Sequence, residues 1–197
     1  DTYLEGSTDN FTIEFTEADS GTNGHSAIYR SVDGPGRARL IGGDRIEGWT
    51  HYAGGIYYAD VGAWEFHTLY ENGRRARKAR EPNYDPDSGY QMSQADYLYA
   101  QGIDGSYRTL KYGSGDLDPT GWDIDDAQIF LWPGGMWAWF TDTVPIQGID
   151  VGVREITTEH ETRYPIYRSG QGSRFFIQGV LDLLDQPGEF HLDSSAG

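Results

Sequence analysis

Apolar and polar residues alternate strictly from Phe11 to Phe15, "FTIEF", and the run Ala27 to Arg30, "AIYR", repeats that texture after the turn-rich "EADSGTNG". Period-two patterning predicts a half-buried strand in each. From Val32 to Trp49 the chain breaks at Gly-Pro-Gly and again at Gly-Gly, which leaves room for two very short strands. From Gly55 the texture changes. "GIYYADVG", "FHTLYENGRRARKAR", "QADYLYAQG", "AQIFLWPGGMWAWFTDTVPI" and "GIDVGVREITTEHETRYPIYRSG" read as longer strands separated by Gly, Pro and Asp turns. Asn72-Gly73 stands between two of these runs and predicts a tight β-hairpin. Only Ile177 to Leu184, stopped by Pro187-Gly188, predicts a helix.

Composition agrees with this pattern. In 197 residues there are 27 Gly, 14 Tyr, 8 Phe and 6 Trp but 2 Met, a balance that favours glycine-turned strands over a helical bundle. The fold class expected is all-β with one short helix near the C-terminus, and the short strands before residue 50 suggest coils of a β-helix or the edge of a sandwich. No cysteine is present, so disulfides and thiolate metal sites are excluded. No apolar run approaches a membrane span, and the first residues do not have the pattern of a signal peptide. A formal charge of −16 opposes general nucleic-acid binding, because the chain repels phosphate backbones. Five cations do crowd seven positions, Arg74, Arg75, Arg77, Lys78 and Arg80. The Asn-Gly turn makes this stretch a strand, with Arg75, Arg77 and Ala79 on one face and Arg74, Ala76, Lys78 and Arg80 on the other. Some of these arginines are expected to form structural ion pairs with the abundant aspartates of the chain or with a neighbouring coil.

"EADSGTNGHSAIYRS", "LIGGDRIEGW", "LYENGRRARKAREPN" and "FFIQGVLDLLDQPGEFHLDSSAG" together resemble the secreted right-handed parallel β-helix proteins that act on polysaccharides. Glycosidases similar to the family 120 β-xylosidases interrupt an early coil of the helix with a β-sandwich. The resemblance implies first coil strands at 1–49, an inserted sandwich at 50–172 and a truncated return to the helix at 173–197. It also implies a secreted, extracellular protein whose partners are a polysaccharide or oligosaccharide and the rest of the parent β-helix. The family's catalytic acids sit on later coils, so no catalytic residue is carried over, and this segment is expected not to be an enzyme.

Trp122, Trp132, Trp137 and Trp139 fall within 18 positions. On a strand, Trp137 and Trp139 project to one face and would form a platform of sugar-ring size, with Arg77 among the groups available to bond hydroxyls. The same tryptophans would serve equally as sandwich core. Asp116, Asp118 and Asp123 belong to an acidic stretch, "GDLDPTGWDIDD", that suits calcium as a hard cation. The stretch fails as an EF-hand, since Pro119 and Ala127 occupy its fourth and twelfth positions, and solvated Asp turns explain it as well. The five histidines have no metal-binding spacing, and no nucleophile elbow or phosphate loop is present. Two functions follow: a non-catalytic carbohydrate-binding or substrate-positioning domain, or a structural domain that packs on the β-helix or mediates oligomerisation.

Overall fold

The computed structural model describes residues 16–37, 43–84, 96–134, 139–167 and 172–195. Among them all regular structure is β, apart from two three-residue 3-10 turns at Glu17–Asp19 and Leu181–Leu183. The all-β class expected from the glycine and aromatic content is therefore observed. Contacts divide the chain into two compact units, Asp1–Val61 and Gly62–Gly197.

In the first unit, β1 (Thr50–Ala53) and β2 (Ile56–Tyr58) form an antiparallel hairpin around Gly54-Gly55, with Gly54 at a φ of 57°. Edge-on aromatic contacts, His51 with Tyr57 and Tyr52 with Tyr58, lie across it. Ala27–Arg30 is not a strand, nor are the described parts of 32–49. Ile28 and Tyr29 are exposed, so their alternation faces no core, and an isolated extended run gains nothing from its pattern. The run 11–15 lies outside the described residues.

The second unit holds β3 (Tyr70–Glu71), β4 (Arg74–Arg75), β5 (Arg77–Lys78), β6 (Arg80–Glu81), β7 (Leu98–Tyr99), β8 (Thr109–Lys111), β9 (Gln128–Leu131), β10 (Asp142–Asp150), β11 (Glu155–Thr158), β12 (Arg174–Gln178) and β13 (Glu189–Phe190). A seven-stranded antiparallel sheet runs β6-β12-β9-β10-β11-β8, and β7 shares the outer edge of β12 with β6. Ile129 and Leu131 of β9, Val144 and Ile146 of β10, Ile156 of β11 and Phe175 and Ile177 of β12 join one core cluster with Leu110, Ile166 and Val180. Most are fully buried, and each such side chain contributes about 1.5–3 kcal/mol of transfer free energy.

Strand β12 replaces the first turn of the helix expected from Ile177 to Leu184. Phe175, Phe176 and Ile177 are all buried because both faces of the sheet are covered here, so the run lacks the alternation that marks a half-buried strand. Gly179 ends it at a φ of 78°, where an added Cβ would stand 2.5 Å from the Asp126 carbonyl oxygen. Only the single 3-10 turn Leu181–Leu183 follows.

The hairpin predicted at Asn72-Gly73 is present. The two residues take φ values of 51° and 77°, and Glu71 pairs with Arg74 and Tyr70 with Arg75. Beyond it the alternation is broken, because Ala76, Ala79 and Arg80 are all buried. Three two-residue strands replace one continuous strand. The middle one, β5, pairs in parallel with β13, Glu189 opposite Arg77 and Phe190 opposite Lys78. A segment expected inside the insertion is thus laddered to the segment expected to return to the helix.

Candidate functional site

Strand parity separates the aromatic residues into two groups. Phe130 and Phe176 sit opposite one another on neighbouring strands, on the sheet face away from Ile129 and Phe175. Their rings stack at 4.9 Å, and Trp132 and Tyr97 close the group with edge-on contacts of 4.9 Å. Two guanidiniums lie on these rings: Arg80 is 3.6 Å from the Phe176 centroid, and Arg174 is 4.4 Å from that of Trp132. Arg80 is itself buried, donates to the carbonyl oxygens of Pro82 and Asp96, and has its pKa lowered by desolvation. Burial also pushes the Tyr97 phenol up. Trp132, at 8% exposure, is core here.

The second group is open. Trp139 is 75% exposed and directly precedes Phe140, whose ring meets Tyr164 edge-on at 5.7 Å. Arg163 places its guanidinium 4.7 Å from the Phe140 centroid. The loop carrying Arg163 and Tyr164 is firmly anchored: Thr162 donates through both N–H and Oγ1 to the Tyr107 carbonyl, and Arg163 N–H donates to Asp142 Oδ2 at 2.8 Å. Gly134 N–H donates to the Pro165 carbonyl, and Ile166 N–H to that of Ser106. Tyr107 and Tyr164 are each 44% exposed. Phe140, Arg163 and Tyr164 thus form one anchored group of rings and guanidinium, and Trp139, their exposed sequence neighbour, offers a flat apolar face suited to a ligand with apolar faces and polar edges.

The other predicted residues are placed elsewhere. Trp122 is half-buried against the main core, and Trp137 lies outside the described residues. Arg77 is exposed on β5 with its guanidinium 3.9 Å over the Tyr84 ring. The hydrogen bonds of its neighbours go to neutral acceptors. Lys78 donates to Gln128 Oε1, Arg75 to Thr68 Oγ1, and Arg80 to the carbonyls already given. Asp116 Oδ2 accepts from Gly113 N–H and Asp123 Oδ1 from Asp125 N–H, each closing its own turn, while Asp118 is exposed. Among the described residues no three His, Asp or Glu groups are gathered so as to hold a metal ion. Asp123, Asp125, Asp126 and Asp193 do line a shallow depression with His191, whose pKa is lowered by burial.

Phe140, Arg163 and Tyr164 were not marked by the tryptophan pattern. The available signal was the adjacency of Arg163, Tyr164 and Pro165, which reads as a loop bearing a stackable cation and ring.

Among solved structures, the chain is similar to a protein described as a glycoside hydrolase, with 21% sequence identity and a TM-score of 0.59. The match covers 81% of this chain and 28% of that one, so the chain spans little more than a quarter of that protein's length. At this identity the likeness is one of fold. No family model matches the sequence, and no curated protein matches it.

Proposed function

We propose that this chain is a non-catalytic carbohydrate-binding or substrate-positioning segment of a larger, extracellular polysaccharide-degrading enzyme. The observation that carries the reading is Trp139, 75% exposed and next in sequence to Phe140, whose ring meets Arg163 and Tyr164 of an anchored loop. Pyranose rings present C–H faces that pack on such surfaces, while their hydroxyls bond to adjacent polar groups. The similarity to part of a protein described as a glycoside hydrolase supports it. The resemblance of the sequence to β-helix glycosidases with an inserted sandwich agrees with it. Catalytic carboxylates belong, in this reading, to the remainder of the parent chain.

Affinity electrophoresis of the 197-residue chain through gels containing soluble polysaccharides tests the proposal. Retardation by at least one glycan, weakened by Trp139→Ala and unchanged by substitution at Tyr29, is expected. No retardation by any glycan of a broad panel overturns it.

A second reading, a structural domain stacked on the rest of a β-helix, is favoured by the parallel β5–β13 ladder. Parallel pairing of short strands from distant segments is how successive β-helix coils associate. Under that reading Trp139→Ala changes no glycan affinity, and disrupting the ladder alters the assembly of the longer protein.

A further inference from the structure

We infer that Arg174 anchors an anion site on the sheet, its guanidinium presenting an open pair of N–H groups to a carboxylate. Arg174 opens β12, and strand parity sets it on the face of Phe176, away from Phe175 and Ile177. There its guanidinium lies 4.4 Å from the Trp132 centroid and 5.3 Å from that of Tyr97. Stacking alone does not mark a site, since Arg80 stacks on Phe176 as well. What sets Arg174 apart is that its donors have no acceptor. Arg80 donates to the Pro82 and Asp96 carbonyls, whereas Arg174 Nε is buried with no partner, and among the described residues its Nη groups make no hydrogen bond or ion pair. The side chain is half-buried, and unlike Nε the two Nη groups are not sealed.

Such a group is costly to leave bare, because a guanidinium drawn partly out of water keeps its charge and loses its acceptors. It is also already shaped for a ligand. Two rings hold the guanidinium in place, Nε is closed off, and the fork that remains, Nη1 and Nη2, matches the two oxygens of a carboxylate. Tyr99 stands directly opposite Arg174 on β7, so its half-buried side chain shares that face and brings a phenol to the same edge. The local charge favours an anion in spite of the −16 of the whole chain. Burial raises the Tyr97 phenol, and the charges acting on it are two guanidiniums, Arg80 and Arg174, against the single carboxylate of Asp96, with the Tyr84 phenol the remaining titratable group. No residue of the Trp139, Phe140, Arg163 and Tyr164 group takes part, so the site stands whether or not that group binds glycan.

A free organic acid and a uronate unit of a glycan offer the same carboxylate, and an NMR titration of the isotope-labelled full chain separates the two. The arginine Nε–H and tryptophan indole signals are followed while acetate, glucuronate or glucose is added at a constant ionic strength of about 150 mM, set with NaCl. Saturable shifts of the Arg174 and Trp132 signals are expected with acetate and glucuronate, and none with glucose or with chloride alone. Arg174→Lys keeps the charge but not the fork and weakens carboxylate binding at least about tenfold, while Arg75→Lys on the exposed hairpin leaves it unchanged. Glucuronate bound at least about tenfold more tightly than acetate assigns the site to a uronate unit, and any smaller ratio assigns it to free acids. Shifts that grow linearly without saturation, or saturable shifts that persist in Arg174→Lys, overturn the anion site. The linear outcome is read on the parent chain and decides the matter even where the variant fails to fold.

Discussion

Two aromatic clusters in one unit, each carrying an arginine on a ring, have opposite fates. Tyr97, Trp132 and Phe176 are buried, with Phe130 half-buried against them, whereas Trp139, Phe140 and Tyr164 sit on connections at the strand ends. The chemistry of the side chains is almost the same. What differs is that the first group is built around Phe130 and Phe176, paired on neighbouring central strands, whereas no member of the second lies on a strand. Ring–guanidinium stacking is therefore not itself a sign of a binding site: in the sealed cluster it neutralises the cost of a buried cation, and in the open one it presents a polar edge beside an apolar surface.

The largest effect expected from breaking this contrast is on the sealed side. Trp132→Ala or Phe176→Ala costs about 3–5 kcal/mol of stability, read from urea unfolding, since each leaves a cavity among rings in contact. Next comes Arg80→Met, which keeps the stem but removes the bonds to the Pro82 and Asp96 carbonyls; a loss of about 1.5–3 kcal/mol follows, by the same measurement. Trp139→Ala sharpens the comparison from the other side. Its stability stays within about 0.5 kcal/mol of the parent chain, while glycan affinity falls at least about tenfold, or 1.4 kcal/mol.

The smallest effect concerns pH. Burial, with Asp185 close by, raises the Glu81 carboxyl, and burial raises that of Glu189. The folded state therefore holds these protons more tightly than the unfolded one, and stability falls as pH rises from the ordinary Glu value of about 4.5 through the raised values. Glu81→Gln removes part of that slope: its urea midpoint exceeds that of the parent chain at pH 7, and the gain vanishes below pH of about 4. His191 works in the opposite sense. Its lowered pKa favours the neutral ring in the fold, so its contribution is lost as pH drops from about 6.5 through the folded value.

How much of this was legible in the sequence depended on the range of the interactions involved. Asn72-Gly73 announced its hairpin because a type I′ turn is a property of two residues. The pattern around Ile177 reads as a helix because β12 is recognisable as a strand only through β9 and β6, partners drawn from distant parts of the chain. The parity of Phe130 with Trp132 was readable, but not that their face is covered. In sequence Trp139 resembles Trp132, and the anchoring of Thr162 to Tyr107 that fixes Arg163 and Tyr164 leaves no local pattern. The strand pattern places Arg80 on one face with Arg74, Ala76 and Lys78, but nothing adjacent to it shows that Phe176 will lie 3.6 Å away.

The position of β12 has a consequence for biosynthesis. It fills the slot between β6 and β9, and β13 then closes on β5, so strands made early keep open edges until Phe190 has left the ribosome. Such a unit cannot fold vectorially from its N-terminal side. Its nascent form carries exposed β6 and β9 edges and bare rings of Phe130 and Trp132, and the time spent in that state, set by slow long-range pairing, is when chaperone dependence and aggregation are decided.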